Sequence, residues 1–224
     1  MRPLLLVLLA WPLAAQAPVV SPFQAEKARA LLRAQLPCLG CHELDGEGGR
    51  VGPSLTTVAE RRDAAYIRAI IEDPGRVVPG AAMPKAMIPT TTRDLVIRYL
   101  SRNARAGTPP PAVAQGSILL SPSSILYQRW CSSCHGNKGG GDGPNAKYLP
   151  VPPAIHSNAS RMSVRSDDAL FDAIAGGGAV MGKSARMPAF GATLAPAEIR
   201  SLVAYIRTLC ACRGPAWSTD GSKP

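Results

Sequence analysis

Apolar residues recur along this chain at helical spacing, and the series runs twice in the same order. Ala28, Leu31, Leu32 and Leu36 share one helical face. Ser21-Pro22-Phe23-Gln24 leads into it as a capping box with proline at the first helical position. Ile67, Ile70 and Ile71 form a second face, capped by Asp63 and stopped at Asp73-Pro74. Val96, Tyr99 and Leu100 mark a third. The series then restarts with Ile125, Leu126, Tyr127 and Trp130. Leu170, Phe171 and Ile174 follow Ser166-Asp167-Asp168, whose acidic side chains suit a helix N-terminus. Ile199, Leu202, Val203 and Ile206 close it at i, i+3, i+4, i+7 spacing, with Pro196 near the start. No strand pattern is evident. The expectation is an all-α chain of two similar halves.

Glycine and proline fill the spaces between these faces. Gly46-Glu47-Gly48-Gly49-Arg50-Val51-Gly52-Pro53 lies in the first half and Gly139-Gly140-Gly141-Asp142-Gly143-Pro144 in the second. Gly107-Thr108-Pro109-Pro110-Pro111 reads as a stiff, extended connection. The expected units are a domain over 18–106, a linker over 107–116, a domain over 117–209 and a tail over 210–224. Residues 1–17 read as a targeting segment. Arg2 is a minimal positive region, and Leu4 to Ala15 is an apolar run of twelve. That is short for a membrane span, which needs about 20 residues. Ala15-Gln16-Ala17 offers small residues for cleavage, with an uncleaved anchor as the alternative. No later run is long and apolar enough to span a bilayer. The chain is therefore expected to be exported, to the periplasm or the outer face of the cytoplasmic membrane.

Composition sharpens this into a question. Gly and Pro number 21 and 22 in 224 residues, while aromatics reach only 5%. Two small helical domains built from such material lack bulky core residues and need a staple or a cofactor. The formal charge is +10, but the positive residues are scattered, with no block suited to nucleic acid.

The six cysteines supply the candidate cofactor. Cys38-Leu39-Gly40-Cys41-His42 and Cys131-Ser132-Ser133-Cys134-His135 both read C-x-x-C-H, the attachment motif for c-type haem. Two thiols three residues apart reach the two vinyl groups on one porphyrin edge, and the adjacent histidine falls under the iron. A thioredoxin-like redox pair would need a βαβ context, and none is evident. A shared zinc would need closer spacing than about ninety residues. Structural disulfides would not require the histidine both times.

With these residues the chain resembles the small c-type cytochromes, with the mono-haem domain duplicated over roughly 23–104 and 117–209. The resemblance implies two covalently bound haem c groups in two tandem domains, each a few helices with long loops around its cofactor. Thioethers would form at Cys38, Cys41, Cys131 and Cys134. His42 and His135 would be the proximal iron ligands. A partner methionine is the usual sixth ligand, and it raises the reduction potential. Met83-Pro84 and Met187-Pro188 each lie between a middle and a closing helix, where the family places that methionine. Met87 is an alternative to Met83, and Met162 and Met181 read as packing residues. His156 reads as an exposed loop histidine, with a ligand role as the lesser alternative. The family also holds the proximal histidine by a proline carbonyl. Pro53 fits in the first domain, and Pro152 or Pro153 are the candidates in the second. His42 and Met83 are 41 positions apart but His135 and Met187 are 52, so the two sites need not be equivalent.

Cys210-Ala211-Cys212 fits no haem motif. A local disulfide, another metal site and free thiols remain open, the first being favoured in an exported chain. The leading expectation for function is an electron carrier rather than an enzyme, docking weakly with redox partner proteins. A membrane oxidoreductase is one such partner. A peroxidase-like dihaem enzyme, or an electron-transfer subunit of a larger oxidoreductase, is the alternative.

Overall fold

The structure, a computed structural model, describes residues 20–102 and 122–220. The targeting segment over 1–17 and the linker over 107–116 lie outside the described residues. The chain is mostly helical. Its first part contains α1 (Pro22–Ala34), a 3-10 turn over Pro37–Gly40, α2 (Val58–Arg61), α3 (Ala64–Glu72), α4 (Pro74–Val77) and α5 (Thr90–Leu100). Its second contains α6 (Ser123–Trp130), α7 (Ser132–His135), α8 (Ala159–Ser163), α9 (Asp167–Gly176), α10 (Pro196–Cys210) and α11 (Trp217–Asp220).

Helix starts follow the sequence closely because capping is local chemistry. Ser21 and Gln24 form the reciprocal capping box of α1, with bonds of 3.2 and 3.1 Å. The Asp63 carboxylate accepts from Tyr66 N–H at 2.7 Å, and the Ser166 hydroxyl accepts from Ala169 N–H at 3.0 Å. Pro74 ends α3 one residue early and serves as first residue of α4. Two positions depart from the helical faces drawn above. Leu36 is buried but lies past the end of α1, and Ile125 points outward from α6.

A two-residue antiparallel hairpin, β1 (Glu43–Leu44) with β2 (Glu47–Gly48), was not expected. Its turn is Asp45-Gly46, both at positive φ (52° and 87°), the signature of a two-residue hairpin. Strands this short show no alternation. The Asp-Gly pair was the readable signal.

Packing repeats the same arrangement twice. α1 and α3 pack on α5, and α6 and α9 pack on α10. Each half closes its own core. Leu32, Leu39, Ile67, Val96 and Tyr99 lie in the first, and Tyr127, Met162, Ile174, Leu202 and Ile206 in the second. A fully buried Leu or Ile contributes about 1.5–3 kcal/mol. The terminal helices of each half thus form a frame that leaves the C-x-x-C-H segment and its loops to line the remaining space.

Candidate functional site

Each C-x-x-C-H begins where a helix ends. In the first half the Pro37–Gly40 turn places Cys38, and His42 N–H donates to Cys38 carbonyl at 2.9 Å. In the second, His135 N–H donates to Cys131 carbonyl at 2.9 Å. The backbone thus curls back at both motifs, and the cysteines and histidine gather on one turn. The four motif thiols are unbridged, whereas Cys210 and Cys212 form a disulfide. Burial pushes the Cys38 thiol up to about 11 and those of Cys41 and Cys131 to about 12.

Both histidines are oriented through the nitrogen that would not face a metal. His42 Nδ1 donates to the Pro53 carbonyl at 2.7 Å, the partner read from the sequence. The ring also packs where a side chain on Gly52 would stand, at 2.4 Å from Cε1. His135 Nδ1 donates to the Ala154 carbonyl at 2.9 Å, rather than to Pro152 or Pro153. A carbonyl's direction follows the path of the loop, and the longer second loop turns one residue later. Burial holds both imidazoles below their usual pKa. They are therefore neutral at pH 7, with Nε2 free as a lone-pair donor.

The second site opens into a cavity of about 560 Å³ lined by Cys131, Cys134, His135, Met187, Phe190 and Ile206, among others. That lies within the roughly 300–1,000 Å³ range of cofactor sites. Its walls are largely apolar, and thiols, imidazole and thioether sulfur share it. This donor set fits a covalently held haem. Met187 reaches it on a loop tied to the end of α9, where Gly178 N–H donates to the Met187 carbonyl at 3.0 Å. In the first half Met83 is half-buried, while Met87 is 68% exposed.

His156 corrects the sequence reading. It is 8% exposed, stacked on His135 with ring centroids 4.1 Å apart and bonded through Nδ1 to Tyr127 hydroxyl at 2.9 Å. Burial and the neighbouring His135 and Arg165 push its pKa down to about 2. The ring lies flat on the His135 imidazole and is tied to Tyr127, so it buttresses His135 from the side. Met162 is a core residue as read, whereas Met181 is partly exposed at the cavity wall.

The site and fold together are those of a c-type cytochrome. Residues 25–103 match the family model of cytochrome c. Residues 123–206 match that of cytochrome c oxidase, cbb3-type, subunit III. No curated protein and no solved structure gives a significant match. The chain belongs to the cytochrome c family as two tandem cytochrome c domains, and it is an electron-transfer protein carrying covalently bound haem c.

Proposed function

We propose that the chain is an exported electron carrier with one haem c in each domain. Cys38, Cys41, Cys131 and Cys134 hold the two haems, His42 with Met83 ligate the first iron, and His135 with Met187 the second. Haem supplies reversible one-electron oxidation and reduction. The protein's own contribution is to hold each proximal imidazole by its Nδ1–H, close the sixth position with a thioether and exclude water by apolar walls. The observation that carries this reading is the second cavity, whose walls include the Cys131 and Cys134 thiols, the neutral oriented imidazole of His135 and Met187.

The match of the second domain to an oxidase subunit favours a terminal oxidase complex as one partner. Among the described residues no helix is long and apolar enough to cross a membrane. Association with such a complex would then be a docking event, steered by the basic surface and small in area. The apolar run Leu4 to Ala15 and the local disulfide support periplasmic residence.

Optical and magnetic spectra of the haem-loaded protein test the reading. Both irons should be low-spin, with the weak methionine-to-ferric-iron band. Met187→Ala should remove that band at one haem and open the iron to carbon monoxide. A high-spin iron in the parent protein, or a Met187→Ala spectrum identical to the parent, would overturn the ligand assignment.

A further inference from the structure

The two attachment motifs meet across the domain boundary, and one side chain sits between them. Asn145 is 1% exposed and follows the Gly-rich loop of the second domain. Its backbone N–H donates to Ser133 carbonyl at 2.9 Å, inside the second C-x-x-C-H. Its side chain enters the first domain. Nδ2 donates to the Gly40 carbonyl, inside the first C-x-x-C-H, and Oδ1 accepts from Arg50 N–H at 2.9 Å. The amide can be placed only one way round, because the carbonyl only accepts and the N–H only donates. Nδ2 also lies 3.4 Å from Cys134 Sγ. One amide therefore touches both motifs. Within the first domain, Gly49 N–H donates to Leu39 carbonyl at 3.0 Å. The Asn145 amide takes the next position of that ladder, where a peptide unit would sit.

The surrounding contacts are reciprocal. The Met187 loop of the second domain lies on the first motif, and a Cβ on Gly40 would stand 2.0 Å from Arg186 carbonyl oxygen. The Met83 loop of the first domain lies on the second site, where Ala82 and Pro84 line the cavity. Arg129 donates to Ala81 carbonyl at 3.3 Å, and Lys85 N–H donates to Thr193 hydroxyl at 2.9 Å. Arg50 stacks on Tyr148 at 4.9 Å. Gly40 thus lacks a side chain because the other domain's backbone occupies that space.

We propose that Asn145 is a positioning residue that registers the two attachment motifs against each other and so governs electron exchange between the two haems. This rests on the reading of both motifs as haem sites. The exchange moves one electron, oxidising one iron as it reduces the other, with no bond made or broken and no proton transferred. Its rate depends on the fixed approach of the two cofactors, which Asn145 sets through Gly40 on one side and Ser133 on the other.

Asn145→Asp tests the inference in the full haem-loaded chain. The carboxylate keeps the shape and the bond from Arg50 but cannot donate to Gly40, and it repels that carbonyl. Gly40→Ala is the second variant, since it obstructs docking from the other side while leaving every cysteine and histidine in place. Readouts are haem content, the ligand bands, small-angle scattering, the magnetic interaction between the two ferric irons, and the inter-haem exchange rate after fast photoreduction. In both variants haem content should match the parent, and in Asn145→Asp the ligand bands should as well; in Gly40→Ala the displaced Arg186 carbonyl adjoins Met187, so there the bands are read only to account for that ligand. Exchange should slow by about tenfold or more, as rates do when reacting groups lose their register. The magnetic interaction should weaken. Unchanged exchange and unchanged magnetic interaction in a variant that keeps both haems would overturn the proposal. Should Asn145→Asp fail to fold, Gly40→Ala decides by the same criterion. A parent protein without two haems would instead refute the reading on which the proposal rests.

Discussion

At the scale of single residues, the proximal histidines show how far sequence carries and where it stops. The C-x-x-C-H spacing is local, so the turns that gather Cys38, Cys41 and His42, and their second-half counterparts, were legible. The acceptor for His42 was legible through the family resemblance, which implies a loop-proline carbonyl there, and Pro53 is that acceptor. Ala154 was not, since its side chain has no part in the bond. His156 was misread for a different reason. Its neighbours Pro152, Pro153 and Ser157 have the composition of an exposed loop, but the fold buries it between His135 and Tyr127. Replacing it separates buttress from ligand. His156→Leu should leave both iron ligand bands unchanged in the optical spectrum. It should also lower stability by about 1–3 kcal/mol in denaturant titration, because the buried Tyr127 hydroxyl loses its partner. Loss of the methionine band in this variant would contradict its role as a buttress.

At the scale of elements, caps and apolar faces were legible because both are set within a turn or two of helix. The hairpin at Asp45-Gly46 was too short to declare itself by alternation. Which helices pack together was not written locally, although the repeated order implied one arrangement used twice. Between α3 and α5 that packing brings Arg68 to Asp94 at 2.8 Å. The hydrogen bond from Arg68, with the nearby positive charges, holds the Asp94 carboxyl below its usual pKa. A depressed folded pKa means the contribution is present above the unfolded value of about 3.9 and is lost as pH falls through the folded one. Asp94→Asn should therefore lower the urea midpoint slightly at pH 7, with the difference shrinking to nothing in strong acid. The pair is exposed, so salt should diminish the effect. A difference that persisted at the lowest pH would exclude this pair as its source. The Cys210–Cys212 disulfide spans a sequence separation of two at the end of α10. So small a closed loop contributes no more than about 2 kcal/mol on a chain-entropy reckoning.

At the scale of the whole molecule, the puzzle of composition has a physical answer. The aromatic-poor halves leave a cavity beside the C-x-x-C-H motif of the second domain, and under the proposed reading a haem would complete its core. Stability is then coupled to the cofactor, as for any group that binds only the folded state. Chain made without haem attachment should be largely unfolded by circular dichroism, with all four motif thiols titrating. A folded, cooperative apoprotein would contradict this coupling. The +10 charge, spread along the chain and not gathered in one block, would suit weak steering to an acidic protein surface.

The sequence alone determined the two C-x-x-C-H motifs, the helical faces and their duplication. Each of these is fixed by residues within a few positions of one another. The tertiary structure alone decided which carbonyl holds His135, where His156 lies and how the two motifs meet. Those outcomes depend on groups brought together from far apart along the chain. Asn145 and Gly40 are 105 positions apart, and no local pattern pairs them. Only the docking of two separately closed cores brings that amide to that carbonyl.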